Sequence, residues 1–208
     1  MTTIYFVRHG ESIGNQKRIY LGHTDLDLSP LGYLQAEETA KILSHVPFSA
    51  VYSSDLIRAM HTAEPHAKMR GISVIPSREL REMHVGEWEG VHVEELLLDE
   101  RFTKGWRENF GNFTIPGGEN VAAAADRIYN AVLEISKRHD GETVLVVFHA
   151  AVLRAFWCKM LGISKDMWAT ALPFPTNASY SIVKCENGSF NPISYSCDEH
   201  LSSVTQLG

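Results

Sequence analysis

Cysteine is scarce in this chain of 208 residues, and the three present, Cys158, Cys185 and Cys197, are an odd number at wide spacings with no CxxC pair. A disulfide scaffold is thereby excluded, and reduced thiols packing as small hydrophobes are expected. Histidine is plentiful, but HExxH, HxH and any Cys/His cluster with ligand spacing are absent, so neither a metal nor another cofactor is expected. There is no excess of positive charge either: 19 Lys and Arg against 25 Asp and Glu give a formal net charge of −6. A phosphate-backbone binder usually carries a basic patch, so nucleic acid is not an expected partner, and an anionic small molecule would need a local cluster of cations. The chain also lacks a basic leader ahead of an apolar run, any stretch approaching the length of a membrane span, and any low-complexity linker. These absences lead to the expectation of a soluble, cytoplasmic protein of one domain over 1–208, in which 44% hydrophobic residues supply one substantial core.

What is present is a series of short apolar runs alternating with helical periodicity. Ile4-Tyr-Phe-Val7 reads as a buried strand that stops at Arg8-His9-Gly10. Thr143-Val-Leu-Val-Val-Phe148 is a continuous, β-branched run of the kind a central parallel strand shows, and it stops at His149. In an open parallel sheet, ligands bind beyond the carboxyl ends of the strands, so both histidines and Arg8 stand where chemistry is expected. Phe48–Tyr52 and Ile72–Ile75 read as two further strands. Ser29, with Pro30 after it, opens a helix from about 30 to 45. Ser53-Ser54-Asp55 supplies an N-cap to a helix that carries Arg58 one turn inside, from where its fork can reach the same anion as Arg8. Residues 91–115, with Val93, Leu96, Leu97, Phe102, Trp106 and Phe110 at roughly helical intervals, read as a helical cap over the sheet edge. A long Ala-rich helix then runs to about Lys137. Asn187-Gly188 joins two final strands, near 179–184 and 191–196, as a hairpin whose outer strand leaves edge-to-edge homodimer pairing open. The fold class expected is α/β, three-layer α/β/α: a mostly parallel sheet with helices on both faces, a cap insertion and a C-terminal hairpin.

Gly10 lets the backbone approach an anion, and its N–H is a candidate phosphate donor. Ser12 and Asn15 are further neutral donors, and Tyr20-Leu21-Gly22-His23-Thr24-Asp25 reads as a wall of the same site. Glu82, Glu87 and Glu89 are three acid candidates in one segment, and their spacing does not choose among them.

Arg8-His9-Gly10 with Asn15, Leu28-Ser-Pro-Leu-Gly32, Ser54-x-x-x-Arg58-Ala59-x-x-Thr62-Ala63, Leu80-x-Glu82 with Gly86-x-Trp88-Glu89-Gly90, Gly117-Gly118-Glu119, and His149 together resemble the histidine phosphatase superfamily, the phosphatases and mutases related to cofactor-dependent phosphoglycerate mutase. The resemblance covers nearly the whole chain, from Ile4 to about Val183, with Asn120 and Ala150 as departures from its usual pattern. It implies metal-independent phosphoryl transfer: neutral His9 attacks phosphorus, Arg8, Arg58 and protonated His149 stabilise the equatorial oxygens, and Glu82 protonates the leaving alcohol. Within the superfamily, the Tyr20–His23 loop and the segments 82–88 and 161–168 look most like α-ribazole phosphatases and related broad-specificity phosphatases. The expected function is hydrolysis of a small phosphomonoester, α-ribazole phosphate being one candidate, with a phosphoglycerate mutase and a non-catalytic phosphate-binding scaffold as the alternatives.

Overall fold

The computed structural model describes residues 1–205; residues 206–208, which the single-domain expectation takes in, lie outside the described residues. Strand β1 (Thr2–Arg8) leads to the one-turn helix α1 (Ile13–Gln16), then α2 (Pro30–Ile42), β2 (Ala50–Ser54), α3 (Ile57–Lys68) and β3 (Val74–Ser77). The short α4 (Val93–Leu96) precedes the long α5 (Val121–Arg138), β4 (Thr143–Phe148), α6 (Ala150–Met160) and α7 (Trp168–Ala171). A hairpin of β5 (Tyr180–Glu186) and β6 (Ser189–Cys197) and the short α8 (Ser202–Thr205) complete it. The strands form one sheet in the order β3-β2-β4-β1-β5-β6, parallel from β3 to β1 and antiparallel across β5 and β6.

Strand β4 sits inside the sheet because it is apolar on both faces, so either face can be covered by helices. Val144, Val146 and Phe148 pack with Ile128 and Val132 of α5 and with Val152 and Phe156 of α6, whereas Leu145 and Val147 pack with Ala59, Ala63 and Ala67 of α3. The period of two thus generates the three layers. In the final turn, Asn187 and Gly188 both have positive φ, 50° and 80°, as a two-residue hairpin turn that follows the strand twist requires. The outer strand β6 carries Pro192, which withholds a backbone donor from that edge.

Several boundaries depart from the sequence reading. The third strand begins at Val74, not Ile72, because the Ile72 N–H still closes the end of α3 on the Ala67 carbonyl. Helix α2 ends at Ile42. Leu56, not a Ser or Asp of 53–55, occupies the N-cap of α3, and Asp25 from a distant loop accepts the Ile57 N–H at 2.7 Å in its place. Arg58 is accordingly in the first turn of the helix, not one turn inside it. Residues 91–115 are less helical than their periodicity implies: beyond α4 they form a six-residue π-helix, Arg101–Trp106, and a 3-10 turn, Phe110–Asn112. No helix among the described residues is long and apolar enough to cross a membrane.

One core residue sets an acid limit on stability. His66 of α3 is fully buried and neither ring nitrogen has a partner. Burial, reinforced by the nearby Arg70 guanidinium, pushes its pKa down to about 3. The unfolded chain takes this proton near pH 6.5 and the folded chain does not, so below pH 6.5 stability falls with pH by about 1.4 kcal/mol per unit until the folded pKa is reached. Above pH 6.5 the group adds no pH dependence. His66→Leu is therefore expected to raise the urea midpoint clearly more at pH 5 than at pH 8, and equal shifts at the two pH values would show that His66 titrates normally in the folded protein.

Candidate active site

Strands β1 and β4 are parallel neighbours with Arg8 opposite Phe148, so the residues that follow, His9 and His149, emerge side by side at the carboxyl edge. Their ring centroids are 5.2 Å apart, and both side chains are buried. His9 Nδ1 lies 2.7 Å from the carbonyl oxygen of Gly10. A carbonyl only accepts, so Nδ1 carries the proton and Nε2 keeps its lone pair. Burial, and after it the Arg58 and Arg8 cations, hold the His9 pKa well below its usual value, so the ring stays neutral. His149 is likewise held well below its usual value, by burial first and then by Arg58, His9 and Arg8. Its Nε2 is hydrogen-bonded to the Ser54 hydroxyl at 2.8 Å, and its Nδ1 is buried without a partner.

The two arginines are anchored by carbonyls and not by carboxylates; Glu82 acts on both through space and not through a hydrogen bond. Arg8 Nη1 donates to the Pro175 carbonyl at 2.7 Å while its Nε is buried without a partner, and burial lowers its pKa to about 10. Arg58 is 2% exposed and donates through Nη1 to Thr24 and through Nη2 to Gly22, at 2.9 and 2.7 Å. Two arginines, Arg58 buried and Arg8 half-buried, with no carboxylate in hydrogen-bond contact, make a site suited to an anion.

Glu82 reaches the same place from the segment after β3. Its carboxylate accepts the N–H groups of Met83, Ala151 and Val152 at 2.9, 3.0 and 3.1 Å, and the last two are otherwise unsatisfied donors of the first turn of α6. His149 is the N-cap residue of that helix, so one helix start positions both groups. The segment is held from three sides. Arg81 makes a two-pronged contact with Asp55 at 2.6 and 2.7 Å, His23 Nε2 lies 3.0 Å from the Glu82 carbonyl, and Arg127 donates to the carbonyls of Glu79 and Arg81. Glu119 in turn binds the Arg127 guanidinium and accepts the His84 N–H. The Gly117-Gly118 turn packs so closely that a Cβ on Gly86 would lie 2.2 Å from the Pro116 carbonyl oxygen. Asn120, in spite of its departure from the usual pattern, caps α5 by accepting the Ala123 N–H.

Some residues marked from the sequence have other work. The Gly10 N–H donates to the Thr62 hydroxyl at 3.0 Å and is not available to a phosphate. What position 10 needs is space: a Cβ there would lie 2.4 Å from the Gly32 carbonyl oxygen. The Ser12 hydroxyl is engaged in a capping box with Asn15. Asn15 Oδ1 takes bonds from Ser12 and from Asn177 Nδ2, and the residue lines the cavity. Leu21 lines the cavity, whereas Gly22 and His23 lie behind it and hold Arg58 and Glu82 through their carbonyl and ring. Among the other acids, Glu89 accepts the N–H groups of Gly22, His23 and Thr24; although burial opposes its ionisation, these bonds hold its carboxyl below the usual range. Glu87 is exposed and pairs with Arg101.

Sequence reasoning missed Thr62, Arg127 and Asn177. Thr62 lies within the quoted Arg58 motif, but its bond to Gly10 joins residues 52 positions apart. Asn177 Nδ2 donates to the His9 carbonyl at 3.1 Å across 168 positions, for which no local signal exists. Among the described residues, no group of three or more His, Cys, Asp or Glu side chains converges as a metal ligand set.

An α/β sheet that brings two histidines and two arginines to one edge defines a phosphate-handling enzyme by class. The chain belongs to the histidine phosphatase superfamily (branch 1), whose family model matches residues 4–198. It is similar to phosphoserine phosphatase 1 of Hydrogenobacter thermophilus, 35% identical over 89% of this chain and 88% of that one. It is also similar to the adenosylcobalamin/alpha-ribazole phosphatase of Escherichia coli, 29% identical over 79% of this chain and 82% of the relative. Among solved structures, Bacillus stearothermophilus YhfR superposes with a TM-score of 0.90 at 30% identity, covering 97% of this chain and 100% of that one.

Proposed function

We propose that this protein is a metal-independent phosphomonoesterase of one domain, working on a small phosphorylated metabolite in the cytoplasm through a phosphohistidine at His9. The observation that supports it best is the pairing of a neutral His9, with its Nε2 lone pair fixed by the Gly10 carbonyl, and two arginines, Arg58 buried and Arg8 half-buried, that have no carboxylate in contact. In this reading Arg8, Arg58, His149 and the Asn15 amide hold the phosphate, and His9 Nε2 attacks phosphorus in line. A dianion beside His149 reverses the local field, so its imidazole takes up a proton when substrate binds. Glu82 gives a proton to the departing alcohol and then takes one from the water that cleaves phosphohistidine. α-Ribazole phosphate and phosphoserine are the metabolites to which the relatives' names direct the assay.

The test is phosphate release from a panel of metabolite phosphomonoesters, with and without EDTA. Turnover of at least one ester, unchanged by EDTA, is expected; no release from any ester would overturn the reading, and a loss with EDTA that a divalent ion restores would overturn its metal independence. The same assay separates hydrolysis from isomerisation. A mutase must keep water from its phosphoenzyme, which calls for a closing lid. Between Glu82 and Pro116 lie only 33 residues here, which form short turns instead of a long cap. Supplied with 3-phosphoglycerate and a trace of 2,3-bisphosphoglycerate, the protein is expected to give negligible 2-phosphoglycerate, and rapid interconversion without phosphate release would identify a mutase.

A further inference from the structure

The groups that face phosphate occupy only part of the cavity, whose volume is about 590 Å³. That lies within the roughly 300–1,000 Å³ of sites that enclose drug-sized ligands, and well beyond what a phosphate on a three-carbon body fills. Much of the remaining lining is apolar and aromatic: Tyr20, Val93, Leu97, Phe102, Trp106 and Phe174. These rings are fixed in place. Tyr20 meets Phe102 and Trp106 edge to face at 5.6 and 6.1 Å, and Trp106 meets Phe110 at 4.8 Å. Behind them the buried Arg154 guanidinium lies between Phe110 and Phe174, at 4.7 and 4.4 Å from their centroids, and donates to the carbonyls of Trp168, Ala169 and Leu172. A wall held this way needs no ordering when a ligand arrives, so apolar burial against it is retained as affinity.

The charges in the lining point the same way. Arg107 adds a further cation to Arg8 and Arg58, and Arg18 is exposed and paired with Glu94, whereas Glu82 is the one carboxylate among the described lining residues, and its oxygens already accept three backbone N–H groups. An amino-acid phosphoester carries a carboxylate that suits these cations, but the ammonium group on the same carbon would enter a cavity that is cationic and holds no uncommitted acid. We infer that the substrate is a phosphomonoester whose alcohol half is uncharged, apolar and about the size of an aromatic ring or larger, and not the phosphoester of an amino acid. This inference rests on the phosphomonoesterase reading above.

The experiment compares kcat/KM for 2-phenylethyl phosphate, ethyl phosphate and O-phosphoserine. All three release alkoxide-type leaving groups, and serine is the best of them, so leaving-group chemistry does not favour the phenylethyl ester. That ester is expected to exceed both others by at least about tenfold, the scale set by burying a phenyl ring. Leu97→Ser, at a wall position 40% exposed and not required by the core, should shrink the ratio of phenylethyl to ethyl ester through KM. Phosphoserine turned over as fast as the phenylethyl ester or faster, or a ratio untouched by Leu97→Ser, overturns the inference while leaving the phosphomonoesterase reading in place. If none of these esters nor p-nitrophenyl phosphate is hydrolysed, the phosphomonoesterase reading falls and the inference falls with it.

Discussion

His9→Ala is expected to lower kcat by at least about 10³-fold, because it removes the atom to which the phosphoryl group is transferred. The arginines would still bind phosphate, so the variant should retain affinity for inorganic phosphate while losing turnover, which separates a lost nucleophile from a collapsed site. In the wild type, rapid quenching should trap a phosphoenzyme that is labile to acid and stable to alkali, as a phosphorus–nitrogen bond is and a phosphoserine ester is not. Activity within tenfold of wild type in His9→Ala would refute the phosphohistidine route. The pH profile supplies an independent check. The His9 pKa is depressed, so the neutral, attacking form persists below pH 6.5, and any acid limb due to His9 should lie on the acid side of that value. A loss of kcat/KM with a midpoint near 6.5 that vanished on replacing His9 would contradict the burial and the two neighbouring cations from which the depression arises.

The two histidines and the strands that carry them were legible because each strand's information is local. A run such as Thr143–Phe148 is apolar and buried at every position after Thr143, and the abrupt change to a polar residue at its end marks the carboxyl edge. That the two strands are adjacent is a matter of sheet order, which no spacing in the sequence encodes. The resemblance supplied it. Arg58 was found through its motif, but the cap of its helix was misplaced since the group that closes it, Asp25, comes from another loop. Positions 10 and 12 show the same limit in the site itself. A glycine after a strand and a serine two residues on have the right chemistry for a phosphate, and their partners Thr62 and Asn15 become visible only once the chain is folded. The cap was legible in outline but not in its helix type, for a further reason. Its apolar residues recur at nearly helical intervals since they turn inward to the cavity and to each other, yet Gly105 lies against the Phe113 ring and the chain there winds as a π-helix. Periodicity reported which residues face inward and not the geometry that brings them there.

Glu82→Gln tests the acid, and its outcome depends on the alcohol that leaves. An alkoxide departs slowly without a proton, so on an alkyl phosphate the substitution is expected to cost on the order of 10²-fold or more in kcat. A p-nitrophenolate leaves unaided, and with p-nitrophenyl phosphate the loss should be much smaller. The contrast is needed because Glu82 also does structural work: its two oxygens accept from Met83, Ala151 and Val152, and a glutamine puts an NH₂ group where one of those oxygens was. Weakening that contact with the start of α6 would disturb His149, the N-cap residue, and would slow both substrates alike. Equal losses on the two esters would therefore assign Glu82 a positioning role and leave the proton donor elsewhere. Glu87 is the control. It is exposed, pairs with Arg101 and lies outside the cavity lining, so Glu87→Gln should leave both rates within about twofold of wild type, as expected of a surface ion pair whose loss costs little. A leaving-group-selective loss in Glu87→Gln with none in Glu82→Gln would move the acid to the other carboxylate.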